Sequence, residues 1–229
     1  MYIPLVMHVL FVLIGLHVLV SLIGFSSETF FNRFVFRVDA IISGKQWERL
    51  ITSGFLHVDG QHLFFNMFSL FLFGKVFLEY HAVMAFLTIY MIGLVAGNLL
   101  SLGLHWRAPF YKAAGASGGV SGLVFSTILL HPDMELAFIF LPIFFPGWLF
   151  ALGFLFYSFY GLLRGKDQIG HDAHLGGTVA GSITTFLWYP QEVLQQIWLL
   201  LLAIGLPTAF LLLQSYWKRR KHSNFHDSF

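Results

Sequence analysis

The chain has no cysteine, which excludes disulfides, thiolate metal ligands and a cysteine nucleophile in one step. Charge is nearly as scarce. Charged residues make up 10% of the 229 residues against 57% hydrophobic, and the mean hydropathy is +0.76. A soluble domain of this length needs more charge than that to build its surface, so composition places the chain among integral membrane proteins. A net charge of +2 gives no electrostatic case for nucleic acid. The first residues lack the basic segment and small-residue cleavage site of a secretory signal, so the first apolar stretch is expected to remain as a membrane span. No internal repeat and no soluble domain are visible.

What is present is a series of apolar windows. A span needs about 20 mostly apolar residues, and windows of that kind fall near Ile3–Phe25, His62–Leu78, Ala82–Leu104, Ser117–His131, Trp148–Leu163, His174–Tyr189 and Val193–Trp217. The pattern predicts an all-α, polytopic membrane helix bundle. Ser117–His131 is too short for a full span and begins in a glycine run. A helix that starts inside a membrane must find partners for its first N–H groups in protein or in a watery cavity. The longest polar stretch, Ser26–Gln61, still carries Phe30, Phe31, Phe34, Phe36, Trp47 and Phe55, and reads as an interfacial loop. Leu136–Pro146 is apolar but interrupted by prolines and is also read as an interfacial loop. Gly165–Asp172 is a short polar link, and the basic tail from Lys218 is expected to be disordered.

Polar side chains within apolar spans are costly and usually face the bundle interior. His62 and Asn66, at i and i+4, share one face of the second span and can both donate hydrogen bonds. Taken alone, the pair is better explained as two interhelical ties. Ser117 lies in GASGGVSG at the start of the fourth helix. Gly115 and Gly118 leave it little steric cover, and the unpaired N–H groups and dipole of a helix start favour negative charge there. Glycine and serine are also ordinary helix-packing residues. Ser121, one turn on, is the rival nucleophile, but its hydroxyl can bond the carbonyl four residues back. His174 lies in AHLGGTVAG, where Gly177 and Gly181 form a GxxxG face that permits close helix approach. A histidine held there can act as general base to a serine. Each signal is weak alone. Together, HxxxN, GxSG and AHxxGxxxG on three separate apolar helices supply a nucleophile, a base and oxyanion donors, the minimal kit for acyl transfer.

These motifs resemble the rhomboid family of intramembrane serine proteases. The resemblance covers the chain up to about Tyr189. It implies that Ser117 is the nucleophile and His174 the general base. It further implies that His62, Asn66 and the Ser117 N–H stabilise the oxyanion, and that Gly115, Gly118, Gly177 and Gly181 are structural glycines. Arg49 matches an arginine of the large first loop, and FLHVDGQHLFFN, Phe55 to Asn66, follows the family pattern with His57 ahead of the site. On this reading residues 1–190 form a six-helix core, 191–217 an additional C-terminal helix and 218–229 a basic tail. The implied substrates are other transmembrane proteins, and no cofactor and no metal are implied. The implied location is a multi-pass one in the lipid bilayer, the plasma membrane if the source is bacterial. Two features depart from the pattern. Many family members carry an aromatic residue four positions after the serine, where this chain has Ser121, which leaves open what orients His174. The family orientation puts the serine near the outer face, yet Arg33, Arg37, Lys45, Arg49, Arg107, Lys112, Arg164 and Lys166 would then lie outside, against the preference of basic residues for the cytoplasm.

Asp172, two residues before His174, is expected to be a loop residue rather than a third catalytic member. Trp148, Phe150, Phe154 and Phe156 of the fifth helix read equally as a lateral access route for substrate and as lipid contacts. Two other readings stay in view. One is a rhomboid-like protein that binds membrane helices without cutting them, against which the retained serine and histidine argue. The other is a metal-handling transporter, suggested by 11 histidines, among which His57, His62, His171 and His174 could approach one another. The absence of HExxH and of carboxylates within the spans disfavours it.

Overall fold

The computed structural model describes residues 5–138, 141–164 and 170–226. Helix α1 (Leu5–Ser26) leads into a compact first loop built from α2 (Glu28–Phe34), the two-residue strand β1 (Phe36–Arg37), α3 (Val38–Ile42), α4 (Arg49–Thr52) and a single 3-10 turn at Ser53–Phe55. There follow α5 (Gly60–Tyr80), α6 (Val83–His105), β2 (Lys112–Ala113), α7 (Ser117–Leu130), β3 (Glu135–Phe138), β4 (Leu141–Pro146), α8 (Gly147–Arg164), α9 (His171–Trp188), α10 (Pro190–Gln195) and α11 (Ile197–His226). Over the described residues, each expected apolar window up to Tyr189 coincides with one helix to within a few residues. Among the described residues five helices, α1, α5, α6, α8 and α11, are long and apolar enough to cross a membrane. In lipid, a helix satisfies its own backbone, which is why apolar sequence of this length folds this way.

α7 is the axis of the bundle. At about 1.5 Å per residue its 14 residues span roughly 21 Å, short of a roughly 30 Å hydrocarbon core. Every residue from Ser117 to Leu129 is buried, because α5, α6, α8 and α9 surround the helix. That proximity depends on missing side chains. A Cβ at Gly93 of α6 would stand 2.9 Å from the Gly118 carbonyl oxygen, and one at Gly97 would stand 2.7 Å from that of Ala173. A Cβ at Gly177 would collide with the Gly118 carbonyl, and one at Gly181 with the Gly122 backbone. α6, α7 and α9 therefore meet backbone to backbone, the close approach that small residues permit. Leu19, Leu22, Phe64, Met84, Leu187 and Leu201 remain exposed on the outside, as a lipid-facing surface requires.

The first loop is a fixed structure. Arg49, 3% exposed, donates to the carbonyls of Asn32 and Val35 and to Gln46 Oε1. Asn98 of α6 donates to the Leu50 carbonyl at 2.8 Å. β1 pairs antiparallel with β2, so the loop is tied to the segment that leads into Ser117.

The structure corrects three expectations. Leu136–Pro146 belongs largely to an antiparallel hairpin, β3 with β4, rather than to an irregular loop. Its prolines fall within β4 (LPIFFP) in a sheet of only two strands, where backbone donors on the outer edge need no partner. The last window is broken at Gln196: α10 starts with Pro190 at its first position, and α11 begins at Ile197. The tail from Lys218 continues α11 as helical backbone to His226 instead of being disordered. In the Gly165–Asp172 link, residues 165–169, Lys166 among them, lie outside the described residues.

Candidate active site

Ser117 is the first residue of α7. The turn that delivers it is set by Gly115, whose φ of +139° lies where side chains are strained. The Gly115 N–H donates to the Ser53 carbonyl at 3.1 Å, which fastens the turn to the first loop. The Ala116 N–H donates to His57 Nε2 at 3.5 Å. A backbone N–H can only donate, so Nε2 carries the lone pair and Nδ1 the proton. Nδ1 then donates to Ser21 Oγ at 2.9 Å, and Ser21 passes its own proton to the Phe55 carbonyl at 3.1 Å. Every group in this chain has one consistent role. Burial, with smaller contributions from the neighbouring His62 and His17, holds His57 down at about 3, so it is neutral.

α5 brings His62 and Asn66 to the same place. Its N-cap Asp59 accepts from the His62 N–H at 2.7 Å, the usual way a carboxylate satisfies an open helix start. The Asn66 amide donates one hydrogen to the His62 carbonyl at 3.0 Å and has a second to offer. The His62 ring lies over Gly115: a Cβ there would stand 2.6 Å from Cε1 and 2.9 Å from Nε2.

α9 supplies His174, and the structure answers what orients it. With Ser121 in place of an aromatic residue, the ring partner comes from α8. Phe154 packs against the His174 ring at a centroid distance of 5.1 Å, and Ser158 Oγ lies 3.4 Å from His174 Nδ1. The aromatics of α8 thus divide. Phe154 faces inward, Trp148 and Phe150 pack against the core, and Phe156 is exposed towards lipid. Sequence reading missed Ser158, Tyr157 and the inward role of Phe154. The signal was present, since 154, 157, 158 and 161 recur at i, i+3, i+4 and i+7, one helix face.

A cavity of about 540 Å³ joins these elements; Ser117, His174, His62, Asn66, Ser121 and Phe154 are on its wall. Ser117 and His174 are each 8% exposed, so both are reachable from it yet held. Ser121 is 1% exposed and one turn deeper. Asp172 is not a loop residue: it is buried in the first turn of α9, where Oδ2 lies 3.2 Å from His105 Nε2 and Oδ1 accepts from the Ala173 N–H at 2.9 Å. A carboxylate in the first turn offsets the positive end of the helix dipole, and its histidine partner is His105. Among the described residues no group of three His, Asp or Glu is placed to hold a metal ion.

Comparison with known proteins accords with this geometry. Residues 44–191 match the family model described as Rhomboid domain. The chain is 28% identical over 175 residues to RHOMBOID-like protein 12, mitochondrial, of Arabidopsis thaliana, covering 69% of this chain and 51% of that protein. It is 27% identical over 155 residues to Rhomboid protein 1, mitochondrial, of Saccharomyces cerevisiae, covering 64% and 43%. It is 27% identical over 156 residues to Presenilin-associated rhomboid-like protein, mitochondrial, of Homo sapiens, covering 65% and 41%. The chain spans about half the length, or less, of these curated relatives.

Proposed function

The chain belongs to the rhomboid family, and on that premise we propose that it is an intramembrane serine protease that hydrolyses peptide bonds in or near the transmembrane segments of other membrane proteins. The observation that carries this reading is the shared cavity, on whose wall Ser117, His174, His62 and Asn66 all lie.

In the proposed reaction Ser117 Oγ attacks the carbonyl carbon of the scissile bond while His174 Nε2 takes the hydroxyl proton. The tetrahedral oxyanion is met by the Ser117 N–H at the start of α7, by His62 and by the second Asn66 hydrogen. Donors of this kind are worth roughly 3 kcal/mol each, because charge develops where fixed dipoles already point. Collapse breaks the C–N bond, and the leaving amine takes the proton from His174. Water, activated by the same imidazole, then attacks the acyl-enzyme and returns the serine. The deeper, more enclosed Ser121 is a wall residue in this scheme.

The chain is a multi-pass membrane protein. The relatives are named as mitochondrial, so a bacterial plasma membrane finds no counterpart among them.

The test is cleavage of a single-span fusion substrate in liposomes by the wild type and by Ser117→Ala, His174→Ala and Ser121→Ala. Loss at Ser117 and His174 with retention at Ser121 is expected. Loss at Ser121 alone would transfer the nucleophile. A wild type that cuts nothing and takes no fluorophosphonate label would point instead to a protein that binds membrane helices without cutting them.

A further inference from the structure

One face of α8 is built around two histidines of α9. Phe154 packs on the His174 ring and Tyr157 meets the His171 ring at 5.1 Å. Gly161 has no side chain because the His171 ring occupies the place a Cβ would take. Between them stands Ser158, fully buried and absent from the cavity wall, so it would not touch substrate.

The hydrogen bonds at Ser158 leave little freedom. Its hydroxyl donates to the Phe154 carbonyl, one turn back, at 2.9 Å. A serine has one proton and two lone pairs, so towards His174 it can only accept. His174 Nδ1, 3.4 Å away, must therefore carry the hydrogen, and the lone pair of the neutral imidazole falls on Nε2.

We infer that Ser158 is a positioning residue that sets the tautomer and ring orientation of His174, a task that no aromatic residue at position 121 performs in this chain. The inference rests on His174 being the general base. A base must present an unprotonated nitrogen to the serine hydroxyl, and a neutral histidine with its proton on the wrong nitrogen cannot take another from that side. When the ring becomes imidazolium, the Nδ1–H still points at the Ser158 oxygen, so the contact serves both states of the cycle. Because Ser158 and Phe154 both belong to α8, the base is held by a helix other than its own, and any displacement of α8 from α9 would loosen it.

Two readouts on the full chain in liposomes test this. The first is steady-state cleavage by wild type, Ser158→Ala and Ser158→Thr. Ser158→Ala is expected to lower kcat about five- to ten-fold, the scale of one neutral hydrogen bond, with KM unmoved, and Ser158→Thr to restore most of it. The second is the tautomer of His174, read by solid-state NMR on ¹⁵N-histidine protein at a pH above the imidazole range and assigned by the signal lost in His174→Gln. Nδ1–H is expected in wild type and in Ser158→Thr, and a mixture of tautomers in Ser158→Ala. An unchanged tautomer in Ser158→Ala, or an unchanged kcat, overturns the inference. A wild type without cleavage or fluorophosphonate labelling overturns the protease reading instead, and the NMR readout still decides what Ser158 does to the ring.

Discussion

The His62 ring stands directly on the Cα of Gly115, so closely that a Cβ on that glycine would come within 2.6 Å of Cε1. One residue therefore sets both the turn before Ser117, the proposed nucleophile, and the seat of His62, a proposed oxyanion donor. Gly115→Ala faces two costs. Its φ of +139° strains any L side chain, by about 1–3 kcal/mol, and the new methyl must push His62 aside. The expected result is a folded protein with kcat reduced by about 10²–10³, the scale of one lost oxyanion donor. Cleavage measured alongside thermal unfolding checks it. A variant as active as wild type would remove His62 from the oxyanion role.

His62 and Asn66 should also behave as a coupled pair. Both side chains lie on the wall of one cavity, one helical turn apart on α5, so in the proposed reaction they meet the same oxyanion. His62→Ala and Asn66→Ala are each expected to lower kcat by about 10²–10³ with little change in KM. The double variant should lose less than the product of the two, as contacting residues generally do. Strict multiplicativity would mean that the two contribute independently.

Much of this was legible beforehand because the constraints are one-dimensional. An apolar run that must satisfy its own backbone becomes a helix, so the six windows up to Tyr189 are found within a few residues over the described residues, while the seventh is broken at Gln196. Polar residues in such runs point inward, so HxxxN, GxSG and AHxxGxxxG meet on one cavity. Ser158 was invisible for the opposite reason. A lone serine in LFYSFY looks like a residue bonding its own i−4 carbonyl, which it does, and only the position of α8 against α9 shows the second use of its oxygen. Asp172 was misplaced because its partner His105 is 67 positions earlier at the end of α6, a pairing that no local pattern carries. The hairpin at Glu135–Pro146 escaped because prolines in an apolar run read as loop unless the strand is known to be an edge.

The glycine contacts predict a sharp contrast between two similar substitutions. Gly177→Ala would place a methyl in the Gly118 backbone and force α9 away from α7. The expected cost is about 1–3 kcal/mol of stability, with activity lost as His174 moves from Ser117. A Cβ on Gly153 in α8 meets nothing within 4 Å, so Gly153→Ala is expected to be neutral or stabilising by up to about 1 kcal/mol through helix propensity. Thermal unfolding of both variants in one detergent decides it. Equal effects would mean that the α7–α9 seam is looser than the packing indicates.

Asp172 separates structure from chemistry. Its carboxylate faces His105 and not His174, so Asp172→Asn should weaken the junction of α9 with α6 while leaving the reaction intact. The expected loss is about 1–3 kcal/mol for a buried charged partner, towards the lower end because the His105 side chain is 33% exposed. kcat should stay within about two-fold, the ordinary scatter of a substitution that touches no reacting group. A fall in kcat of the size expected for His174→Ala, without loss of stability, would make Asp172 part of the catalytic machinery after all.

The buried His57 makes stability depend on pH in a stated direction. Its pKa falls from 6.5 in the unfolded chain to about 3 in the fold. Above 6.5 it is neutral in both states and adds no pH dependence. As pH falls below 6.5 the unfolded chain takes up a proton that the folded protein refuses, so stability declines by roughly 1.4 kcal/mol per pH unit until the folded pKa is reached. His81 and His131, whose rings meet at Nε2–Nε2 3.1 Å, are also lowered by burial and add to the slope. Thermal unfolding between about pH 7 and about pH 4 should therefore show a falling midpoint. His57→Gln keeps an acceptor for the Ala116 N–H but cannot titrate, so it should start lower at neutral pH and fall less steeply. Ser21→Ala leaves His57 in place but removes the acceptor of its Nδ1–H. It should lower the midpoint at neutral pH, and kcat with it, since the Ala116 peptide next to Ser117 is held through the same ring. A wild-type midpoint that does not move with pH would mean that His57 is solvated and that α1 does not hold the serine turn through it.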